Sequence, residues 1–264
     1  MTVAKDHQVA DPVRTEGAFP QKTLEVAKQL ESDPKNAELW KEYGLELARG
    51  MFMRESVEAF SRAIALEPFE GILYRHRGHR HLSCWEFAEA AADFEVAARL
   101  IPENWDVWYH LGLSYYLLGE YDDAQHAYKR CLELTDMSDI EAFPAIIDWS
   151  WRTARRRGDE AYAKELLELL PVDFPVGTDE CGYALNCAVY QGRKTPEEAL
   201  EVCAGQDPLH AATNSYAMAN YFNETGDAAR SKEQLEKLIA DLDAEGWCTF
   251  GYLAAMQDLK RMAL

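Results

Sequence analysis

The residues best placed for chemistry lie in "YRHRGHRH", Tyr74–His81, which holds three arginines and three histidines in eight positions. Imidazoles three residues apart share a helical face and suit a divalent metal, guanidinium groups suit phosphate or carboxylate, and an imidazole near neutrality suits proton transfer. A second basic concentration, Arg152, Arg155, Arg156 and Arg157, stands in "WRTARRRGDE". The six cysteines, Cys84, Cys131, Cys181, Cys187, Cys203 and Cys248, form no CxxC pair and no metal-finger spacing, and are expected as reduced, packed thiols. No glycine-rich phosphate loop, nucleophile elbow or HExxH motif accompanies the histidines. A formal net charge of -19, from 46 acidic and 27 basic residues, repels nucleic acid and anionic membrane surfaces. An anionic partner must therefore be held locally.

The elements that position these residues follow from a period of 34. Gly44, Gly78 and Gly112 are spaced by that interval, as are Pro34, Pro68 and Pro102, and so are Trp40, Tyr74 and Trp108. The same interval joins Leu47, His81 and Tyr115; Ser56, Ala90 and Ala124; Phe60, Phe94 and Tyr128; and Ala63, Ala97 and Cys131. Each unit reads as two amphipathic helices, for instance "LYRHRGHRHLSCW" followed by "EFAEAAADFEVAARLIP". Glycine inside a helix costs about 1 kcal/mol relative to alanine, so its recurrence indicates close approach of a neighbouring helix. The small column Ser56, Ala90 and Ala124 faces that approach, the aromatic column fills the space between units, and proline ends the second helix.

These columns resemble the tetratricopeptide repeat between Trp40 and Asp136. The resemblance implies an all-α, right-handed superhelical solenoid of antiparallel helix pairs. Within it, 1–19 is a polar and flexible start. Residues 20–264 form a single solenoid: a half repeat over 20–36, three clear repeats over 37–138, degenerate repeats over 139–243, and a capping helix over 246–263. Thr195, Pro196 and Glu198 mark one of the later helix starts. The chain is also similar to a group of bacterial proteins with this repeat, which implies a bacterial origin and no particular reaction. No run reaches the roughly 18 apolar residues of a membrane span, and the polar start lacks a secretory core, so a cytoplasmic location is expected.

At 100 degrees per residue, Arg75, His76 and His79 share one face of their helix, opposite Tyr74, Arg77, Gly78 and His81. In the resembled family the first helix of each unit lines a concave groove. That implies a groove strip of Lys41, Arg75, His76, His79, Tyr109, His110, Tyr116, Trp149, Arg152 and Arg156. Such a strip fits a protein or peptide carrying acidic groups, because arginine grips carboxylates bidentately and aromatic rings give contact area at low entropy cost. The expected function is a noncatalytic interaction scaffold without cofactor, nucleic acid or membrane. Two alternatives are an accessory subunit of an enzyme complex and a metal site of His76, His79 and His110, against which the flanking arginines argue. The terminal-carboxylate clamp of the family is not reproduced, since Leu45, His76, Asp106 and His110 stand in its places. Arg77 and His81 fall in packing slots. A buried arginine needs an acid, and Glu86 and Asp93 are in reach along the chain. Arg155 and Arg157 are expected to pair with Asp159 or Glu160.

Overall fold

A computed structural model describes residues 19–177, 182–242 and 246–263. The expected flexible start, all but its last residue, and Cys181 lie outside them, as does the side chain of Cys203. The described residues form fourteen α-helices and no strand, as the period predicts. They divide into two compact units between Ser114 and Tyr115.

The first unit contains α1 (Gln21–Ser32), α2 (Ala37–Arg49), α3 (Met53–Leu66), α4 (Gly71–Ser83), α5 (Phe87–Leu100) and most of α6 (Trp105–Leu118). Asn36 caps α2 by accepting from the Leu39 amide at 3.1 Å. The glycine column packs as its spacing requires. A Cβ on Gly44 would lie 3.0 Å from the Phe60 ring, and one on Gly78 would lie 3.1 Å from the Phe94 ring. Ser56 Oγ donates to the Gly44 carbonyl at 2.7 Å, tying α3 to α2.

The second unit begins with the last turn of α6. It continues through α7 (Tyr121–Leu134), α8 (Ala142–Arg156), α9 (Glu160–Glu168), α10 (Tyr183–Tyr190), α11 (Pro196–Cys203), α12 (Pro208–Glu224), α13 (Ala228–Leu242) and α14 (Phe250–Met262). Thr195 and Glu198 form a reciprocal capping box at α11, with Pro196 in its first turn. Phe143, Ile147 and Trp151 of α8 pack against Leu166 of α9 and Ala184 of α10.

The turn between the two helices of a repeat uses left-handed backbone. Gly119, Gly158, Gly192 and Gly226 adopt it, with φ from 70° to 91°. Met51 and Trp85 occupy the same slot in the earlier repeats, at φ 65° and 66°. These two side chains hold a conformation that costs L-residues about 1–2 kcal/mol.

In the C-terminal helix, α14, Gly251 to Met256 are buried without interruption.

Candidate functional site

In the first unit, the two sides of α4 separate as the helical rotation predicts. Arg77 donates from Nε and Nη2 to both oxygens of Asp93, at 2.8 and 2.6 Å, and from Nη1 to Ser61 Oγ at 3.1 Å. Asp93 on α5 is therefore the acid that this half-buried arginine requires. Glu86 instead accepts from Arg54 at 3.1 Å and lies 2.7 Å from His81 Nδ1.

On the opposite side Arg75 forms a bidentate pair with Asp106 at the start of α6, the Nη2 contact measuring 2.9 Å. The histidines depart from the expectation of side chains presented to an open groove. His76 stacks on Phe60, with ring centroids 5.3 Å apart and planes 19° from parallel. His110 is buried and stacks the same way on Phe94 at 5.5 Å. His76 and His110 are 34 residues apart, and so are Phe60 and Phe94. Each imidazole thus extends the aromatic column that joins one repeat to the next. His79 lies 4.8 Å from the His110 ring, and Tyr109 is buried. A flat, adaptable ring in a packing column explains the histidines better than ligation does. Among the described residues no group of three or more His, Cys, Asp or Glu is disposed to hold a metal ion.

A pocket of about 330 Å³ remains between these helices, lined by Leu45, Ala48, Arg49, Phe60, Arg75, His76 and Arg80. Its charge is mostly positive. Burial, followed by the cations Arg75, Arg80 and Lys41, pushes the His76 imidazole down to about 4, with Asp106 opposing. Burial with Arg80, His110 and Arg75 likewise holds His79 well below the usual histidine range. Burial works against the ionised form of Asp106, yet His110 and Arg75 hold its carboxyl well below the usual carboxylate range. Arg80 donates to Met53 Sδ at 3.8 Å and lies against His79 Nδ1. Lys41 pairs with Glu38 at 2.7 Å, and Arg49 pairs with Glu46. The pocket therefore presents neutral imidazole and apolar wall beneath a rim of cations. That suits an anionic group attached to an apolar stem.

In the second unit three of the four expected groove residues are buried. Tyr116 and Arg152 are 0% exposed and Trp149 is 1% exposed. The Arg152 guanidinium lies 4.3 Å from the Trp149 ring and 5.1 Å from that of Tyr216, and it pairs with Asp148. Arg156 donates to Asp258 at 2.6 Å, and burial pushes the Tyr116 hydroxyl up to about 12, so it stays protonated. The expectation of an accessible strip is corrected for Tyr116, Trp149 and Arg152, which are interior, whereas Arg156 keeps 15% of its side chain exposed. Arg155 pairs with Glu160, whereas Arg157 pairs with Asp122 at 2.6 Å and more loosely with Asp159. Asn186, Tyr190 and Asp258 also belong to this network, and Arg261, 31% exposed, pairs with Asp258 from its edge. The sequence carried a signal for the first three, because Arg152, Asn186 and Asn220 are 34 apart, as are Arg156, Tyr190, Glu224 and Asp258.

Comparison with known proteins agrees with the repeat reading. Residues 105–134 match the tetratricopeptide repeat model. A 111-residue segment is 25% identical to anaphase-promoting complex subunit 3 of Schizosaccharomyces pombe, covering 42% of this chain and 17% of that one. A 110-residue segment is 26% identical to tetratricopeptide repeat protein 33 of Mus musculus, covering 42% of each. The chain thus spans less than half the length of these curated relatives. Among solved structures, one of a tetratricopeptide repeat protein from Parabacteroides merdae aligns over 98% of this chain and 87% of its own, at 13% identity and a TM-score of 0.56. YrrB, described as a TPR protein with an unusual peptide-binding site, aligns over 94% of this chain and 100% of its own, at 15% identity and a TM-score of 0.52. At these identities the structural likeness concerns the fold alone. No helix among the described residues is long and apolar enough to cross a membrane.

Proposed function

We propose that this chain, a tetratricopeptide-repeat protein, is a noncatalytic scaffold whose first unit binds an acidic segment of a partner protein in the pocket between α2 and α4. The observation that carries the reading is the set of charges around His76. Arg75, Arg80 and Lys41 stand around the His76 ring, Arg75 paired with Asp106 and Lys41 with Glu38, in a chain of net charge -19. Leu45, Ala48 and Phe60 supply the apolar wall. A carboxylate side chain entering the pocket gains charge-assisted contacts at the rim while its stem packs against that wall. His79 and His110 are packed together and Asp106 is held in ion pairs, which argues against a general base or a metal site there. A register of 34 on either side of a single 39-residue step, from Gly119 to Gly158, supports reading 20–264 as one repeat array. A location in the cytoplasm fits this role, and so does service as an accessory subunit if the partner is an enzyme.

The test uses the exposed rim, because His76 and His79 are packed and their removal would damage the fold. The double variant Lys41→Glu, Arg49→Glu and the parent protein are used as bait in a lysate at low and at physiological salt. The reading predicts a partner retained by the parent, weakened by salt and lost from the variant. Equal retention by both proteins at both salt concentrations would overturn it.

A further inference from the structure

We infer that Arg75 and His76 together receive one carboxylate of the partner, and that the pocket takes up a proton at His76 each time it captures that acid. This rests on the reading of the pocket given above and adds the site's choice of acid and its regulation. Arg75 commits two of its three guanidinium nitrogens to Asp106: Nε and Nη2 hold the two carboxylate oxygens, the second at 2.9 Å. The third, Nη1, lies 3.5 Å from His76 Nδ1. An arginine only donates, so Nδ1 meets it as the acceptor and the neutral ring carries its proton on Nε2. That contact is at the outer limit of a hydrogen bond, and both residues line the pocket. A carboxylate oxygen entering between the two nitrogens accepts from Nη1, and from Nδ1 once that atom is protonated. One long contact is then replaced by two charge-assisted hydrogen bonds.

The surroundings explain why the proton arrives with the acid and not before it. α4 brings Arg75 and Arg80 to the His76 ring, α2 brings Lys41, with Arg49 on the same pocket, and α6 brings Asp106. α3 offers only the uncharged Phe60 ring, and His79 is set against His110. Burial and then Arg75, Arg80 and Lys41, opposed by Asp106, keep the ring neutral down to about pH 4. A bound carboxylate adds a second acid, offsets the cations and returns the ring toward the ordinary 6.5. The imidazolium keeps its stack on Phe60, as a cation on an aromatic face. No covalent bond changes: the carboxylate stays ionised, and the proton passes from solvent to Nδ1. A neutral amide does not restore the ring's proton affinity. The pocket therefore separates glutamate from glutamine, and does so more strongly as pH falls.

The test is calorimetric titration of the full chain with a short synthetic peptide of alternating glutamate and leucine, capped at both ends, in two buffers that differ in ionisation heat. If binding restores the ordinary imidazole affinity, linkage makes the parent bind about tenfold tighter at about pH 5.5 than at about pH 7.5, with nearly one proton taken up per peptide at the lower pH. His76→Phe keeps a ring on Phe60 and should show neither the tightening nor the uptake. The His76 ring is also followed by NMR in the parent, which needs no variant: it should titrate near 6.5 with the peptide and near 4 without it. Equal affinity of the parent at both pH values, the same pH response in His76→Phe, or a ring that titrates alike with and without peptide would overturn the inference and leave the pocket as the docking place. A parent that binds no peptide at either pH, or a Lys41→Glu, Arg49→Glu variant that binds as the parent does, would overturn the pocket itself and the inference with it.

Discussion

Acidification should loosen the first unit through His76. Its folded pKa of about 4 lies below the ordinary 6.5, because burial and then Arg75, Arg80 and Lys41 disfavour the charged ring. The unfolded chain therefore binds the additional proton first. The stability supplied by the neutral stacked ring is complete above pH 6.5 and is lost as pH falls toward 4. Linkage over that interval gives a loss of about 2 kcal/mol between about pH 7.5 and about pH 5, and about 3 kcal/mol once the folded group titrates. The assay is urea unfolding of the parent and of His76→Phe at the two pH values, followed by circular dichroism. Phenylalanine keeps a ring against Phe60 and removes the proton site. Carboxylates elsewhere, and His79, contribute equally to both proteins and cancel in the difference. The parent should lose about 2 kcal/mol more than the variant. An equal loss would refute the reasoning, because it would mean that the ring beside Phe60 accepts a proton as readily in the fold as in water.

Three further outcomes follow from the same contacts. Asp93→Asn leaves the Arg77 guanidinium without its bidentate carboxylate and should cost about 3 kcal/mol in chemical denaturation, whereas the paired change Asp93→Leu with Arg77→Met should cost less. Met51→Gly removes a side chain from left-handed backbone; relief of strain, less the entropy glycine adds to the unfolded chain, should raise stability by about 0.5–1 kcal/mol in the same measurement. Tyr216→Phe removes the hydroxyl between Tyr116 and Asp258, 2.7 and 3.0 Å from them, and should cost about 1–2 kcal/mol by thermal unfolding.

The repeat was legible because its determinants are local and periodic. Gly44 and Gly78 recur where a phenylalanine ring presses on the helix, and each recurrence restates the same packing solution. The partner of Arg77 was legible for a related reason: burying a guanidinium admits few solutions, and Asp93 sits on the adjoining helix of its own repeat. The histidines were harder to place, because face assignment gives a direction and not what fills it. His76 points where the rotation says, but Phe60 is already there. In the second unit Asp258 stands three 34-residue intervals after Arg156, with Tyr190 and Glu224 between them, so that meeting was encoded in the period. Arg261 and Leu117, 144 residues apart, are off the period, and their contact was not legible. The left-handed Met51 and Trp85 were hidden similarly, since only the later repeats place glycine in that slot.

The central claim is that the pocket between α2 and α4 is where a partner docks. A photo-crosslinking amino acid at Leu45, on the pocket wall, tests this most directly when compared with the same group at the exposed Glu58 of α3. Irradiation in cells, followed by mass spectrometry, identifies what each position touches. The account predicts an adduct at Leu45 with a protein segment rich in aspartate or glutamate, and none of that species at Glu58. An absent adduct at Leu45, or the same set of adducts at both positions, would contradict it.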